Sequence, residues 1–349
     1  MGLIRLLLAM TVVLSHAGFQ WFVGSRNAVQ MFYIISGFLI AFILNTNRKY
    51  DRKIDFYVSR ALRIYPVYFC VAVIAIFYPL YGSETGQIYT QAPIGTAIAL
   101  FFSNLVIFGQ DLVMFMSVKS GVWGIFAAPG SDFPLYRGLL VPQAWSLGIE
   151  LSFYLIAPYI VRSKVKTILV FMASCAIRYI YFDKHPEAVD PWTYRFFPFE
   201  IALFMLGAMS FHWMLPLWRK IVVKFSALQV IGVAALSILI LCYDFVEFDS
   251  TNKSIILFLV MSALLPLAFF YQQRSKIDQA LAELSYPVYV CHLLVFSLLA
   301  NYTPSLSGGR LVIAKIALTL MFAFLLKISV ADFFDRFRHR LSRQLLSKD

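Results

Sequence analysis

The sequence has few charged residues: Asp, Glu, Lys and Arg together make up only 14% of its 349 positions. Its four cysteines all lie in apolar segments, with no spacing typical of a metal site or a disulfide framework, so no metal is expected. No Gly/Ser/Pro-rich or polar stretch separates two domains. These absences exclude a soluble enzyme and predict one domain, residues 1–335, followed by a short basic tail, residues 336–349.

The chain is instead rich in apolar sequence: 60% of its residues are hydrophobic, and the mean hydropathy is +0.76. Apolar runs of about 18 residues or more indicate helices that cross a bilayer. Runs of this kind occupy residues 3–22, 28–46, 64–82, 141–161, 166–183, 195–214, 225–243, 254–272, 281–301 and 310–331. The sequence therefore predicts an all-α, polytopic integral membrane protein with about ten transmembrane helices.

The distribution of basic residues predicts the orientation of these helices. Lys and Arg are concentrated in every second loop and in the tail: 48–63, 162–166, 219–224, 274–276 and the residues after 331. The intervening loops are sparse in basic residues or acidic, so the positive-inside rule predicts that both termini are cytoplasmic. This topology also explains the net charge of +12, which therefore does not indicate a nucleic-acid partner.

One shorter apolar segment, residues 93–108, does not fit this pattern as a membrane crossing. An eleventh span there would move the basic loop at 162–166 to the outside. We therefore expect 93–108 to be re-entrant or to lie at the interface, within an external region at 83–140.

The basic stretch from Arg48 to Arg63 carries apolar residues at near-helical spacing and predicts a short interfacial helix before the third span. Two interpretations fit it. It anchors the protein to anionic lipid, or it binds a polyanionic cytosolic ligand, because Arg forks suit phosphates.

Ionisable residues lie inside the predicted spans, where a polar group is costly unless it faces protein or water. Arg5 and His16 stand eleven positions apart in the first span, which is roughly 16 Å along a helix and on similar faces. Glu150 is about three turns deep in the fourth span. These residues are candidates for a site within the membrane.

The ninth span contributes His292 near its middle. Ser285 and Tyr289 share a helical face with it through i, i+4 and i+7 spacing. Arg178 and Glu200 are two further ionisable candidates inside predicted spans.

Five motifs follow one another along the chain. Arg5 and His16 are separated by ten residues, and Ser-Gly-Phe-Leu-Ile occupies 36–40. Phe-x3-Arg-x2-Arg-Ile-x-Pro follows at 56–66, Trp-Ser-Leu-x2-Glu-x2-Phe-Tyr at 145–154, and Ser-Tyr-x2-Tyr-x2-His at 285–292. In this order, the motifs resemble those of the acyltransferase-3 family of integral-membrane O-acyltransferases.

The resemblance implies a stand-alone family member without the fused esterase-like domain that some members carry. It implies transfer of an acetyl group from cytosolic acetyl-CoA, the co-substrate, to a hydroxyl of a cell-envelope or exported glycan. The expected acceptor is an O-antigen, an exopolysaccharide or a glycolipid, and the expected location is the bacterial inner membrane.

The residues fit that chemistry. Arg5, Arg60 and Arg63 are expected to bind the phosphates of acyl-CoA at the cytoplasmic mouth. A sugar hydroxyl is a weak nucleophile and needs a base that titrates near neutral pH, so His16 is the expected general base. We expect Glu150 to orient or charge-stabilise that imidazole.

The remaining candidates surround the acyl group and its acceptor. Tyr289 or His292 is expected to bind the developing oxyanion or to line the acceptor path. The expected substrate-binding residues are Trp145, Ser146, Tyr154, Ser285 and Tyr289. Acceptor specificity is expected in the external region 83–140, whose Trp123 and Tyr136 can stack on sugar faces.

Two other functions remain open. Buried Arg, Glu and His residues also occur in transporters, although no internal repeat supports that class here. The acceptor of an acyltransferase can also be a small molecule other than a carbohydrate. A further pattern, His185 to Asp190, fits the His-x4-Asp signature of glycerolipid acyltransferases, but its short external loop lies away from cytosolic acyl-CoA and we reject it.

Overall fold

The computed structural model describes residues 1–47, 50–77, 86, 88–89, 92–119, 122–124, 133–247, 250–303 and 307–338. Its helices are α1 (Gly2–His16), α2 (Gly24–Thr46), α3 (Lys53–Phe77), α4 (Ile94–Val106), α5 (Gln110–Val113), α6 (Trp145–Ile160), α7 (Lys164–Lys184), α8 (Phe197–Val222), α9 (Leu228–Leu241), α10 (Ser250–Arg274), α11 (Lys276–Tyr302) and α12 (Gly308–Arg338).

Each of the ten predicted spans contains a helix. In the described part of the chain, seven helices are long and apolar enough to cross a membrane: α2, α3, α7, α8, α10, α11 and α12. The predicted spans at 3–22, 141–161 and 225–243 form the shorter helices α1, α6 and α9, of 15, 16 and 14 residues. The prediction of an all-α, polytopic membrane protein is confirmed.

The prediction of a separate interfacial helix before the third span is wrong. α3 runs from Lys53 through Pro66 to Phe77 as one helix. Phe56, Arg60 and Ile64 are buried on one face of its first half, whereas Ile54 is exposed. Because this face packs against protein, the basic turns of α3 belong to the bundle. Parts of the predicted basic clusters, namely Arg48, Lys49 and residues 339–349, lie outside the described residues.

Several contacts gather the basic segments at one end of the bundle, which we call the basic end. The backbone N–H of Leu3, at the start of α1, donates to Asp278 Oδ1 at the start of α11, at 2.8 Å. Lys327 in α12 pairs with Glu283 at 3.2 Å, and Arg162 donates to a backbone carbonyl just ahead of α3 at 2.7 Å. This grouping agrees with the predicted orientation.

Helix α4 does not traverse the bundle. The backbone carbonyls of its last turn accept hydrogen bonds from Tyr65 and Tyr68, near the middle of α3. The chain then reverses at Gly109, whose φ is 77°, and the Leu140 N–H returns to Asn104 Oδ1 of α4 at 2.9 Å. The end of α4 is thus bound both to α3 and to the chain that leads into α6. The placement of 93–108 relative to a membrane stays a prediction.

A small antiparallel sheet, not predicted from the sequence, lies between α5 and α6. Its strands are β1 (Ser117–Lys119), β2 (Val122–Gly124) and β3 (Phe133–Pro134), in the order β2-β1-β3. Ser117 pairs with Gly124 and with Pro134. The sheet belongs to the predicted external region.

Helices α2 and α8 cross in close contact at two glycines. A Cβ on Gly37 would stand 1.9 Å from the carbonyl oxygen of Phe204, and a Cβ on Gly207 would stand 1.9 Å from that of Ile34. Neither backbone can give way at such a distance, so the crossing requires glycine on both helices. Small residues commonly allow membrane helices to approach in this way. The crossing fixes α2, which carries Ser36 toward α6.

Candidate active site

A cavity of about 420 Å³ extends into the bundle from the basic end. We call it the inner cavity; α1, α2, α3, α6, α10 and α11 form its wall. Eight of the residues predicted from the sequence line it: Arg5, Arg60, Arg63, Ser146, Glu150, Tyr154, Ser285 and Tyr289. The fold thus brings together positions that are up to 284 residues apart in the sequence.

Two arginines of the inner cavity have unused hydrogen-bond donors. The Nε atoms of Arg5 and Arg60 are buried, and neither makes a hydrogen bond within the described residues. Arg60 and Arg63 lie one helical turn apart on α3, and Arg63 is close enough to Arg5 to act on its charge. A buried donor without a partner costs about 1–3 kcal/mol. An anionic ligand would satisfy these donors.

Glu150 does not contact His16, so the expected pairing of the two is wrong. Its Oε1 accepts a hydrogen bond from Ser36 at 2.8 Å and another from Tyr154, one turn later on α6. It also acts on the charge of Arg5. The carboxylate therefore belongs to the inner cavity, where it faces the arginines, because one helix face carries Ser146, Glu150 and Tyr154 together.

A second cavity, of about 190 Å³, lies at the opposite end from the basic residues. We call it the outer cavity. His16 and Trp145, both predicted, line it together with Tyr136 of the external region. The acceptor contact expected of this region stays a prediction, and the side chain of Trp123 lies outside the described structure.

His16 is hydrogen-bonded to His292. The distance from His292 Nε2 to His16 Nδ1 is 2.9 Å, and His292 Nδ1 lies 2.7 Å from the backbone carbonyl oxygen of Tyr289. A carbonyl only accepts, so His292 carries its proton on Nδ1. Its Nε2 then accepts from His16 Nδ1, because a fully buried His292 without a carboxylate partner among the described residues suits the neutral imidazole.

This chain of hydrogen bonds leaves His16 Nε2 with a free lone pair. A general base needs a ring nitrogen with a lone pair. The hydrogen bond from His292 Nδ1 to the Tyr289 carbonyl sets the tautomer of His292, which in turn places the proton of His16 on Nδ1 and leaves Nε2 as the basic nitrogen. The expectation that His292 binds an oxyanion is wrong for this arrangement, because both of its ring nitrogens are already engaged. His292 instead orients His16.

Arg195 and Tyr194 also line the outer cavity, and sequence analysis missed both. Arg195 donates from Nε to Asp190 Oδ1 at 2.6 Å and from Nη2 to Asp190 Oδ2 at 2.9 Å. Its guanidinium carbon lies 4.4 Å from the ring centroid of Trp145 and 4.5 Å from that of Tyr194. The Trp-x-Tyr-Arg sequence just before α8 was the available signal.

Tyr289 separates the two cavities and contributes to the lining of both. Its hydroxyl lies 2.6 Å from Ser146 Oγ and donates to the carbonyl oxygen of Gln143 at 3.1 Å. Ser285, one turn earlier on the same face, donates to the Ala282 carbonyl at 2.7 Å and lines only the inner cavity. The predicted face of α11 is thus assembled along the path between the cavities.

Other candidates have structural partners. Arg178 forms an ion pair with the fully buried Glu200 at 3.0 Å, away from both cavities. His185 lies 3.7 Å from Glu187, and its rejected partner Asp190 is bound to Arg195. No cluster of three or more His, Cys, Asp or Glu in the described ranges is arranged to hold a metal ion.

Asp111 in α5 is a buried carboxyl that sequence analysis did not select. Only 3% of it is exposed, and burial raises the pKa of its carboxyl to about 6. It lines neither cavity. Its backbone packs against Gly148 on α6, where a Cβ would stand 3.3 Å from the Asp111 nitrogen. Asp111 therefore belongs to the support of α6.

Comparison with known proteins gives one family and several relatives. A family model described as an acyltransferase domain matches residues 1–330. Peptidoglycan O-acetyltransferase OatA of Listeria monocytogenes is 30% identical over 160 residues, which cover 44% of this chain and 22% of that protein.

A protein of Staphylococcus aureus strain COL, named as an O-acetyltransferase, is 25% identical over 171 residues, which cover 47% of this chain and 25% of that protein. The aligned region is thus about a quarter of the length of these relatives. No solved structure matches the chain.

Proposed function

The chain belongs to the acyltransferase-3 family of integral-membrane enzymes, and we propose that it transfers acetyl from cytosolic acetyl-CoA to a hydroxyl of a cell-envelope or exported glycan. The observation that carries this proposal is the back-to-back arrangement of the two cavities. The cavity that opens at the basic end is lined by arginines whose buried Nε donors make no hydrogen bond within the described residues, and an oriented histidine lines the other.

The inner cavity suits acyl-CoA in charge and in length. Arg5, Arg60 and Arg63 offer donors to phosphates near its mouth. Along α11, Gln279 at the mouth and Tyr289 at the deep end stand ten positions apart, so the helical rise puts them about 15 Å apart along the helix axis. The pantetheine arm has the reach of about four residues of extended chain, roughly 14 Å. An acyl group on this arm would therefore lie beside Tyr289.

The outer cavity suits a sugar acceptor. Trp145, Tyr136 and Tyr194 supply aromatic surface, and His16 Nε2 supplies the basic nitrogen. The relative from Listeria is named as a peptidoglycan O-acetyltransferase, which favours a glycan as the acceptor of this chain as well. The positive-inside orientation gives the inner cavity access to cytosolic acetyl-CoA and the outer cavity access to a glycan outside the bacterial inner membrane.

In the transfer step, the acceptor hydroxyl gives its proton to His16 Nε2 while its oxygen forms a bond to the thioester carbonyl carbon. The tetrahedral intermediate carries an oxyanion, and the Arg195 guanidinium, held in place by Asp190 at the outer cavity, stabilises it. Breaking the C–S bond releases the CoA thiolate, which takes the proton from the imidazolium. The products are an acetyl ester and free CoA.

His16→Ala tests this proposal, and His185→Ala is a matched control because His185 is exposed and lines neither cavity. Removing a general base lowers kcat by about 100- to 10,000-fold. We expect O-acetyl esters on glycans of cells that express wild type or His185→Ala, and none above background with His16→Ala at matched membrane levels.

Purified protein should also release CoA from acetyl-CoA when the acceptor glycan is added. A transporter would not consume the thioester. Acceptor-dependent CoA release that is the same in wild type and His16→Ala would contradict the assignment of the base, and its absence with every glycan would contradict the proposed function.

A further inference from the structure

We propose that the Tyr289 side chain is a gate between the donor and acceptor cavities, and that the opening it leaves limits the length of the acyl group that is transferred. This inference rests on the proposed function. It concerns how the acyl group passes from one cavity to the other, which none of the motifs addresses.

The position of Tyr289 makes it a barrier. Among the described residues only Val29 joins it in lining both cavities. Tyr289 is 7% exposed, and its ring lies 6.2 Å from that of Phe32 on α2. The ring therefore fills the space through which a thioester carbonyl must approach an acceptor held at His16. In the conformation that the structure describes, the gate is closed.

Polar contacts hold the gate closed without locking it. The hydroxyls of Tyr289 and Ser146 and the carbonyl oxygen of Gln143 form a triangle with sides of 2.6, 3.0 and 3.1 Å. Two hydroxyl protons serve these three contacts, so one contact lacks a hydrogen bond at any moment. Ser146 can keep its bond to Gln143 when the tyrosine leaves. The polar contacts therefore oppose opening by little more than one hydrogen bond, about 1 kcal/mol.

The helix is adapted to movement next to this residue. Pro287, two positions before Tyr289, lies inside α11 and has no backbone N–H to donate to the carbonyl of Glu283. Proline is a common cause of helix kinks and local flexibility. The backbone carbonyl of Tyr289 nevertheless stays bound to His292. The side chain can thus move while the tautomer of the His292–His16 pair is kept.

The closed gate limits the space for the acyl group. Acetyl adds only a methyl group beyond the carbonyl, whereas each further methylene must fit between the end of the inner cavity and the ring of Tyr289. A site that discriminates by one methylene gains roughly 10- to 200-fold. The proposal therefore predicts a steep preference for acetyl over longer acyl groups, and it assigns that preference to one side chain.

Tyr289→Ala tests the gate with acetyl-, butyryl- and hexanoyl-CoA as donors. We expect wild type to favour acetyl-CoA strongly in kcat/KM, and the variant to lose roughly tenfold or more of that preference. Water from the outer cavity would also reach the thioester, so hydrolysis to acetate and free CoA without an acceptor should rise. A gain of activity toward longer donors cannot arise from misfolding.

Two further variants define the controls. Tyr289→Phe keeps the ring and should keep the preference for acetyl. Tyr179→Ala removes the same kind of side chain at an exposed position that lines neither cavity, so hydrolysis should stay at the wild-type rate. If Tyr289→Ala does not accumulate in the membrane, Tyr289→Leu replaces it, with an intermediate loss of preference expected.

The results separate the gate from the proposed function. If wild type transfers acetyl and the variants keep its acyl-length preference and its low hydrolysis, the gate is wrong and the acyltransferase is not. An equal change of preference in Tyr179→Ala would also overturn the gate. If wild type consumes no acyl-CoA with any acceptor, the proposed function itself fails.

Discussion

The inner and outer cavities treat positive charge in opposite ways. In the inner cavity, buried Nε atoms of Arg5 and Arg60 make no hydrogen bond within the described residues. In the outer cavity, Arg195 is held by two hydrogen bonds to Asp190 and packs against the rings of Trp145 and Tyr194. A guanidinium group with unused donors suits an ionic ligand, whereas one that is paired with a carboxylate and packed on aromatic rings forms part of the cavity wall.

This difference indicates which substrate each cavity is built for. The donor proposed for the inner cavity carries phosphates, and its arginines remain available to them. The acceptor proposed for the outer cavity is a neutral sugar, and there the arginine contributes shape and an oriented dipole. Three substitutions test the comparison. His292→Phe and Asp190→Asn alter the outer cavity, and Arg63→Gln removes a charged donor from the inner cavity.

The largest effect is expected from His292, because the outer cavity depends on the tautomer of His16. His292→Phe removes the acceptor for His16 Nδ1 and allows the imidazole to carry its proton on either nitrogen. Where the orienting group was a charged carboxylate, its loss lowered kcat by about 10,000-fold. His292 is neutral, so we expect a smaller loss of kcat, about 100-fold.

A steady-state measurement with acetyl-CoA and acceptor separates kcat from KM in this variant. His292→Gln offers a side-chain oxygen as acceptor and should recover part of the rate. A purely structural role for His292 would give equal losses in the two variants, with KM for acetyl-CoA changed as much as kcat.

An intermediate effect is expected from Arg63, which tests the inner cavity. Arg63→Gln removes one charged donor, and hydrogen bonds to charged groups contribute about 1.5–3 kcal/mol, so KM for acetyl-CoA should rise by roughly 10- to 100-fold. The KM for the acceptor should stay within about twofold if the two cavities bind separately. Arg162→Gln is the matched control, because Arg162 lies at the basic end but lines neither cavity.

Initial rates at several salt concentrations add a second readout for Arg63→Gln. Phosphate contacts at a partly open mouth are screened, so the difference between wild type and variant should shrink as salt rises. A rise in the acceptor KM instead would contradict the division of labour between the cavities.

The smallest effect is expected from Asp190, and it would make the outer cavity resemble the inner one. Asp190→Asn leaves Arg195 without its carboxylate, so a free guanidinium would face the outer cavity. We expect a rise of only a few-fold in the acceptor KM, because the Asp190 side chain is 48% exposed and such pairs contribute little.

Inhibition by small anions provides the diagnostic measurement for Asp190→Asn. Chloride or sulfate should compete with the acceptor in the variant and not in wild type, at constant ionic strength. Equal inhibition of both proteins would mean that the pairing with Asp190 does not decide what the outer cavity binds.

Much of the fold could be predicted because its determinants are local. Apolar length and loop charge predict the number and grouping of the helices, and the spacing of Ser285, Tyr289 and His292 predicts their common face. The interfacial helix at 48–63 failed for a tertiary reason: the face around Arg60 packs into the bundle, so α3 continues through the expected break.

The sequence by itself determined a helical membrane protein, its basic end and eight residues of the inner cavity, because hydropathy and helical period are properties of single segments. Only the tertiary structure decided which groups meet. It brought His16 into hydrogen-bond contact with His292, which is 276 positions away. It also placed Glu150 against Ser36 and Tyr154, and Arg195 in the lining of the outer cavity. Such pairings depend on the register between distant helices, which close contacts like those of Gly37 and Gly207 set.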